Sequence, residues 1–315
     1  MQTRIVGMLT SYPDITQSDW LWQQTPQPFG IWGRIQMLAQ APQPDFLLLY
    51  NCHDFDRSPV SSRWRLRRSR LRTAAEIQAK LRHLPKAQII SLWREPPFEQ
   101  KRSQRIAGYD LSQRYCGYVS GPDEFAPVPD YMPAIWYHAN SFRELAEMPP
   151  PPKSRSCSWI TSGIDRTPNH RRRLAFLQQL QQQFSFDLYG RGLPATAKAQ
   201  GVLANKWHGM APYFYNLAIE NYADNEWYAS EKLWDPLLAW CLPIYYGGSA
   251  ADRLLPADSF LRLPSLDQAG IDYIREVTAT PDAWLAAQDA IAEARQVILH
   301  ELNLLNWLSN FVSQQ

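Results

Sequence analysis

Tyr215-Asn-Leu-Ala-Ile-Glu220-Asn221, Tyr228-Ala-Ser-Glu231-Lys232-Leu-Trp234 and Cys241-Leu-Pro243-Ile-Tyr-Tyr-Gly247-Gly248 follow one another between residues 215 and 248. Two short apolar runs flank a segment with helical spacing, so the stretch predicts strand, helix, strand. Short continuous apolar runs of this kind suit strands covered on both faces, as in a parallel sheet. The polar residues gather where strands end and where the helix begins. That is the edge at which an open α/β sheet holds its ligand. Glu231-Lys232 at the start of the helix suits a sugar–phosphate group. A carboxylate accepts from ribose hydroxyls, while an ammonium and a helix N-terminus face phosphate. A surface charge pair at a helix start explains the same two residues. Their place after the run ending in Glu220 and Asn221 favours the sheet edge.

Outward from this stretch, strand-like and helix-like segments alternate through the chain. Strands are expected over Arg4 to Leu9, Phe46 to Tyr50, Ala87 to Trp93, Tyr115 to Val119, Cys157 to Thr161, Phe184 to Tyr189, Tyr215 to Ile219, Leu242 to Tyr246 and Ser259 to Leu263. Helices are expected over Phe29 to Ala39, Ala74 to His83, Asn169 to Gln183 and Ser230 to Trp240, with Pro236 kinking the last. Thr280 as N-cap and Pro281 at the first helical position open a long helix running to about Val312. Four prolines, Pro149 to Pro152, fit neither a helix nor a central strand and mark a linker. The expected organisation is therefore an α/β chain of two Rossmann-like, doubly wound domains. They span residues 1–150 and 151–275, with a C-terminal helical segment at 280–315 and a ligand cleft between the domains.

Bulk properties narrow the function. The chain has 315 residues, with 32 Lys+Arg against 30 Asp+Glu, so the basic excess of a nucleic-acid-binding protein is lacking. Cys52, Cys116, Cys157 and Cys241 are scattered without metal or redox spacing, which suits a reducing compartment. The N-terminal apolar stretch reads as a strand rather than a signal peptide, and no run has the length of a transmembrane helix.

Several further segments carry candidate chemistry. Pro243-Ile-Tyr-Tyr246-Gly247-Gly248-Ser249 joins a strand to a helix start through two glycines, which would let backbone approach a phosphate. An ordinary strand-to-helix turn has the same composition, and the lysine of a Walker loop is missing. His170-Arg171-Arg172-Arg173 reads as a solvated basic turn or as the source of one arginine that clamps a pyrophosphate, and Arg173, in helical register with Phe176, Leu177 and Leu180, points closest to the packed side. Glu95, after the strand ending at Trp93, reads either as a loop glutamate paired with Arg94 or as a general base. The basic run Arg63 to Arg72 reads as a solvated helix face, with contact to anionic lipid headgroups or an acidic acceptor as its alternative. Asp54-Phe-Asp56 matches a metal-binding Asp-x-Asp only at a length that chance supplies often, and reads as a polar loop.

Taken together these residues resemble glycosyltransferase family 10, the α-1,3/α-1,4-fucosyltransferases. The family signature is a strand ending in Glu-Asn, then Tyr-x-(Thr/Ser)-Glu-Lys, a helix, and Val/Ile-Pro-Ile/Val followed by Gly. Here these are Glu220-Asn221, Tyr228-Ala-Ser230-Glu231-Lys232 and Leu242-Pro243-Ile244-Tyr-Tyr-Gly247, with Pro256 and Ser259-Phe260 following. Upstream, Arg173 to Leu180 and Phe186-Asp187-Leu-Tyr189-Gly190-Arg191 match in order and spacing. The resemblance covers residues 157 to 263 well and the first half loosely. Ser230 stands where threonine is commoner, and the Tyr222 to Trp227 loop and the two prolines after Glu95 depart from the family.

The resemblance implies a GT-B architecture and an inverting transfer of L-fucose from GDP-fucose to a hydroxyl of an oligosaccharide or glycoconjugate, α-1,3 in type. It implies Glu95 as general base and Arg173 and Lys232 as cations on the GDP leaving group. It gives Glu231 the ribose and places Glu220, Asn221, Tyr228, Tyr246 and Gly247 in the donor pocket. No metal or other cofactor is expected to be essential. The resemblance suggests a bacterial-type cytoplasmic form without a membrane anchor, touching a membrane at most peripherally through Arg63–Arg72. Another nucleotide sugar as donor, or a nucleotide- or glycan-binding protein without turnover, is compatible with the residues themselves.

Overall fold

The computed structural model describes residues 3–12, 20–59 and 69–315. The chain forms two compact units, Met1–Met132 with Leu308–Gln315, and Pro133–Trp307. Each is built on a largely parallel sheet, as the alternation of elements leads one to expect.

The first unit holds β1 (Arg4–Thr10), β2 (Ile31–Trp32), β3 (Ile35–Met37), β4 (Phe46–Tyr50), β5 (Arg57–Pro59), β6 (Ser69–Leu71), β7 (Ile89–Leu92), β8 (Tyr118–Gly121) and β9 (Val128–Pro129). Its seven-stranded sheet runs β2-β3-β1-β4-β7-β8-β9, parallel except for the β2–β3 pair, and β5–β6 form a separate ribbon. β4 is buried along its whole length, which is why it reads as an unbroken apolar run.

The second unit holds β10 (Arg155–Ile160), β11 (Asp187–Tyr189), β12 (Tyr213–Ile219), β13 (Leu242–Tyr246) and β14 (Leu261–Arg262). They form a five-stranded, all-parallel sheet in the order β11-β10-β12-β13-β14. Helix Pro168–Gln183 connects β10 to β11, and helix Glu231–Leu238 connects β12 to β13. β10 therefore leads outward to β11 on one side and has β12 on the other. The strand order reverses there, and loops at such a point diverge and leave room for a ligand. The proline run lies inside this unit, between helix Phe142–Glu147 and β10.

The structure corrects five expectations. Phe29 to Ala39 is not a helix but the β2–β3 hairpin. Gly30 (φ 72°) and Gly33 (φ 55°) turn the backbone where a helix would need negative φ, and Ile35 and Met37 are buried beside β1. A helix over Arg102–Tyr115 was not expected, and the strand expected from Tyr115 begins at Tyr118.

The long C-terminal helix is broken into Asp282–Ala286, Gln288–Gln296, a wider π turn at Val297–Glu301, and Leu304–Ser313. The break before Leu304 has a cause: Leu302 O accepts from Ala134 N (2.6 Å), and Leu304 N donates to Ala134 O (3.0 Å). Those groups are spent on another segment and cannot continue the helix. Pro281 is the N-cap rather than the first helical residue, and Thr280 Oγ1 accepts from Asp282 N at 3.4 Å.

Finally, the described end of the basic run is strand β6, not a helix face. There Arg70 pairs with Glu76 (3.0 Å) and Arg72 donates to Arg57 O (3.0 Å). Residues 60–68 of that run lie outside the described residues.

Candidate functional site

The carboxyl ends of β10, β11 and β12 open onto a cavity of about 440 Å³. Thr161 and Ser162 follow β10, Gly190 and Arg191 follow β11, and Asn221 follows β12. Arg173, Glu231 and Lys232 join them from the two connecting helices. The wall at Gly190 needs glycine. Its φ is 151°, and a Cβ there would lie 1.5 Å from the Thr161 carbonyl oxygen.

Arg173 is buried on the inner face of helix Pro168–Gln183, beside Phe176, Leu177 and Leu180. Its guanidinium donates to Asn221 Oδ1 (2.5 Å) and to Ser162 O (2.8 Å). Nε is buried without a hydrogen-bond partner among the described residues. Burial lowers its pKa to about 10, which leaves it charged at neutral pH. A desolvated cation with an unused donor is well suited to an anionic group.

Lys232 lies in the first turn of helix Glu231–Leu238, whose N-cap Ser230 accepts the Lys232 N–H. Its Nζ is 3.2 Å from Glu220 Oε2, 3.1 Å from Ser230 Oγ and 3.6 Å from Glu231 Oε1. Burial alone would pull the ammonium pKa down, but Glu220 and Glu231 outweigh it and hold it above the ordinary lysine value. Glu220 is itself buried, and its oxygens accept the Ser230 N–H and hydroxyl (both 2.8 Å). Desolvation raises the Glu220 pKa and Lys232 opposes it. Glu220 is thus the internal anchor of the Ser230–Lys232 turn.

The expected donor residues divide by position. Arg173, Asn221, Glu231 and Lys232 line the main cavity. Glu220, Asn221 and Tyr246 line a smaller one of about 20 Å³ beside it, together with Arg172. Tyr228 and Gly247 line neither. Tyr228 is buried, with its N–H on Asn225 Oδ1 (2.9 Å), and Gly247 O accepts from Arg262 (2.8 Å).

In the first unit, Glu95 follows β7 and is exposed. Its Oε1 accepts from Tyr12 Oη (2.7 Å) and Asn51 Nδ2 (3.5 Å), and its backbone carbonyl accepts from Arg105 (2.8 Å). Arg94, its sequence neighbour, lies buried over the Tyr50 ring. His53 packs against Trp93 with the rings tilted at 37° and their centroids 4.0 Å apart, and burial lowers its pKa to about 4. Asp54 and Asp56 lie in the turn ahead of β5. Among the described residues no cluster of three or more His, Cys, Asp or Glu side chains is arranged to hold a metal ion, and no helix is long and apolar enough to cross a membrane.

Residues 150–286 match the model of the glycosyltransferase family 10 (fucosyltransferase) C-terminal domain. Over those residues the chain is similar to that domain. Every residue expected to bind the donor falls inside that stretch, and Glu95 falls outside.

The chain is also similar to α-(1,3)-fucosyltransferase C of Drosophila melanogaster. The two are 30% identical over 145 residues, covering 42% of this chain and 31% of that protein. It is also similar to α-(1,3)-fucosyltransferase 4 of Bos taurus, 29% identical over 184 residues, covering 56% and 42% respectively. The chain therefore spans less than half the length of these curated relatives. Among solved structures, an α1,3-fucosyltransferase with GDP aligns over 95% of this chain and 91% of that one, at 15% identity and a TM-score of 0.49.

Residues that the sequence did not single out also line the main cavity, notably Arg191, Lys206, Asn216 and Asp235. Arg191 and Asn216 stood inside matched segments but carried no distinguishing pattern. Lys206 and Asp235 are 29 positions apart and meet only in the fold.

Proposed function

We propose that this protein is an inverting glycosyltransferase that moves L-fucose from GDP-fucose to a hydroxyl of an N-acetylglucosamine- or glucose-containing glycan. The observation that carries the reading is the convergence of Arg173, Asn221, Glu231 and Lys232 on one cavity at the carboxyl edge of a parallel sheet, inside the stretch similar to the family 10 domain. The acceptor oxygen attacks the anomeric carbon of the fucosyl group. The bond from that carbon to the β-phosphate oxygen breaks, and GDP departs with the electron pair. Arg173 and Lys232 neutralise the charge that grows on the diphosphate, a stabilisation stronger in the transition state than in the ground state. Glu231 accepts from the ribose hydroxyls. Glu95 takes the acceptor proton, in keeping with its accessible carboxylate. With two cations on the diphosphate, the reading requires no metal. We place the activity in the cytoplasm, and the four free, buried cysteines support a reducing compartment.

Donor hydrolysis measured across GDP-fucose and several other nucleotide sugars tests the donor, and a preference for another sugar nucleotide would replace GDP-fucose. Calorimetry tests the diphosphate site. Lys232→Ala should weaken GDP binding about ten- to a hundred-fold, the loss of one charge-assisted contact, and unchanged affinity refutes the placement. Glu95→Gln should keep GDP affinity while abolishing transfer. Retained transfer removes Glu95 from the base role, and a wild-type protein that binds GDP-fucose without transfer or hydrolysis is a binding protein.

A further inference from the structure

The main cavity holds a second charged pair, whose carboxylate, Asp235, lies about one helical turn beyond Lys232. Lys206, in the short 3-10 turn Lys206–Gly209, places Nζ 3.3 Å from Asp235 Oδ2. The Asp235 side chain is 3% exposed, and its other oxygen accepts the Tyr137 N–H at 3.0 Å. Asn205, just ahead of Lys206, accepts the N–H groups of Trp207 (3.1 Å) and Ala139 (3.2 Å). The carboxylate and the backbone leading to the lysine are therefore both fixed. The Lys206 side chain is 34% exposed at the cavity, and an ammonium has more donors than this single carboxylate contact uses.

Helix geometry orders the cavity. Glu231 and Asp235 are four apart and share a face of helix Glu231–Leu238, roughly 6 Å apart along it. With a diphosphate at Arg173 and Lys232 and the ribose at Glu231, as proposed above, a base extending along the helix would reach Asp235 and Lys206, which line the same cavity. Leu203 and Met210 supply apolar wall in the same cavity. An ammonium anchored on a carboxylate can only donate, so the base edge it meets must accept. A 6-oxopurine presents two acceptors there, O6 and N7. A 6-aminopurine presents N7 and a competing donor. We propose that Lys206, held in place by Asp235, reads the O6/N7 edge of the base and selects a guanine over an adenine nucleotide.

The inference rests on the donor reading, and one experiment separates the two. Calorimetry with GDP, IDP and ADP is run on the wild-type protein, Lys206→Met and Asp235→Asn. The wild type should bind GDP and IDP alike and ADP roughly ten-fold or more weaker. Lys206→Met, a change at a partly exposed side chain, should bring GDP and ADP within about three-fold of each other, and Asp235→Asn should move the ratio the same way. Equal weakening of GDP and ADP would make Lys206 a phosphate contact and overturn the proposal, as would an unchanged ratio. A wild type that binds GDP and ADP equally sinks this inference alone. A wild type that prefers another nucleoside diphosphate sinks the donor reading and this inference together.

Discussion

Lys232 and Glu220 form the most consequential contact in the second unit. The Glu220 side chain has no exposed surface, and Lys232 is 22% exposed at the cavity. Removing one partner of such a pair leaves a buried charge without compensation, at about 3–5 kcal/mol. Glu220→Gln should therefore lower the denaturation midpoint markedly and weaken GDP binding as well, because Lys232 and the Ser230 turn lose their anchor. Removing both charges, as in Glu220→Gln with Lys232→Met, should recover part of the stability but none of the binding. A double-mutant cycle read by urea denaturation and calorimetry checks this, and additive losses would show that the two side chains are uncoupled. Arg173 is a different case. It holds Asn221 and the Ser162 carbonyl together, so Arg173→Ala should loosen the cavity wall as well as remove a charge.

Among the elements, the strand-to-helix connections of the second unit set the cavity. The chain must pass Gly190 with φ 151° directly beside the Thr161 carbonyl. Gly190→Ala should cost about 1–3 kcal/mol in strain and weaken GDP binding by shifting the β10 and β11 loops apart. A thermal melt with calorimetry checks both effects, and a variant with native stability and affinity would show that the loops tolerate the displacement. The element that sequence periodicity misjudged most, the C-terminal helix, failed for a similar reason. Apolar spacing continues through residues 282–312, but Ala134 captures the backbone of Leu302 and Leu304. The hairpin at β2–β3 failed because Ile31, Ile35 and Leu38 satisfy helical spacing while Gly30 and Gly33 reverse the chain.

At the scale of the whole molecule, burial disfavours the charged form of His53 in the first unit and of His138 in the second. Burial lowers the pKa of His53 to about 4 and that of His138 to about 3. In the unfolded chain both titrate near 6.5. Below that pH the unfolded state binds protons that the native state refuses, so stability falls with falling pH until the native pKa is reached. Asp235 works the other way. Burial raises its pKa to about 6, so between pH 6 and its ordinary value of 3.8 the native state takes up a proton first and gains stability. The histidines outweigh it, and the unfolding free energy from urea denaturation should fall between pH 7 and pH 5, by on the order of 2 kcal/mol for each histidine. His138→Gln should make the dependence shallower, and an unchanged slope would show that His138 is not what responds.

The sequence by itself determines whatever is local. β12, the Ser230 turn and helix Glu231–Leu238 lie within one short stretch, so their apolar runs, cap and charges carry strand, helix and ligand edge together. Arg173 was legible for the same reason, because its register with Phe176, Leu177 and Leu180 assigns it to the buried face. The Lys206–Asp235 pair, the Tyr12 and Asn51 contacts to Glu95, and the Ala134 bridge could not be read this way. Their partners lie from 29 to about 170 positions apart in the chain. Periodicity records which face of a segment is buried. Only tertiary structure decides which distant polar group waits on that face, because a hydrogen bond depends on a distance in space that sequence spacing does not encode.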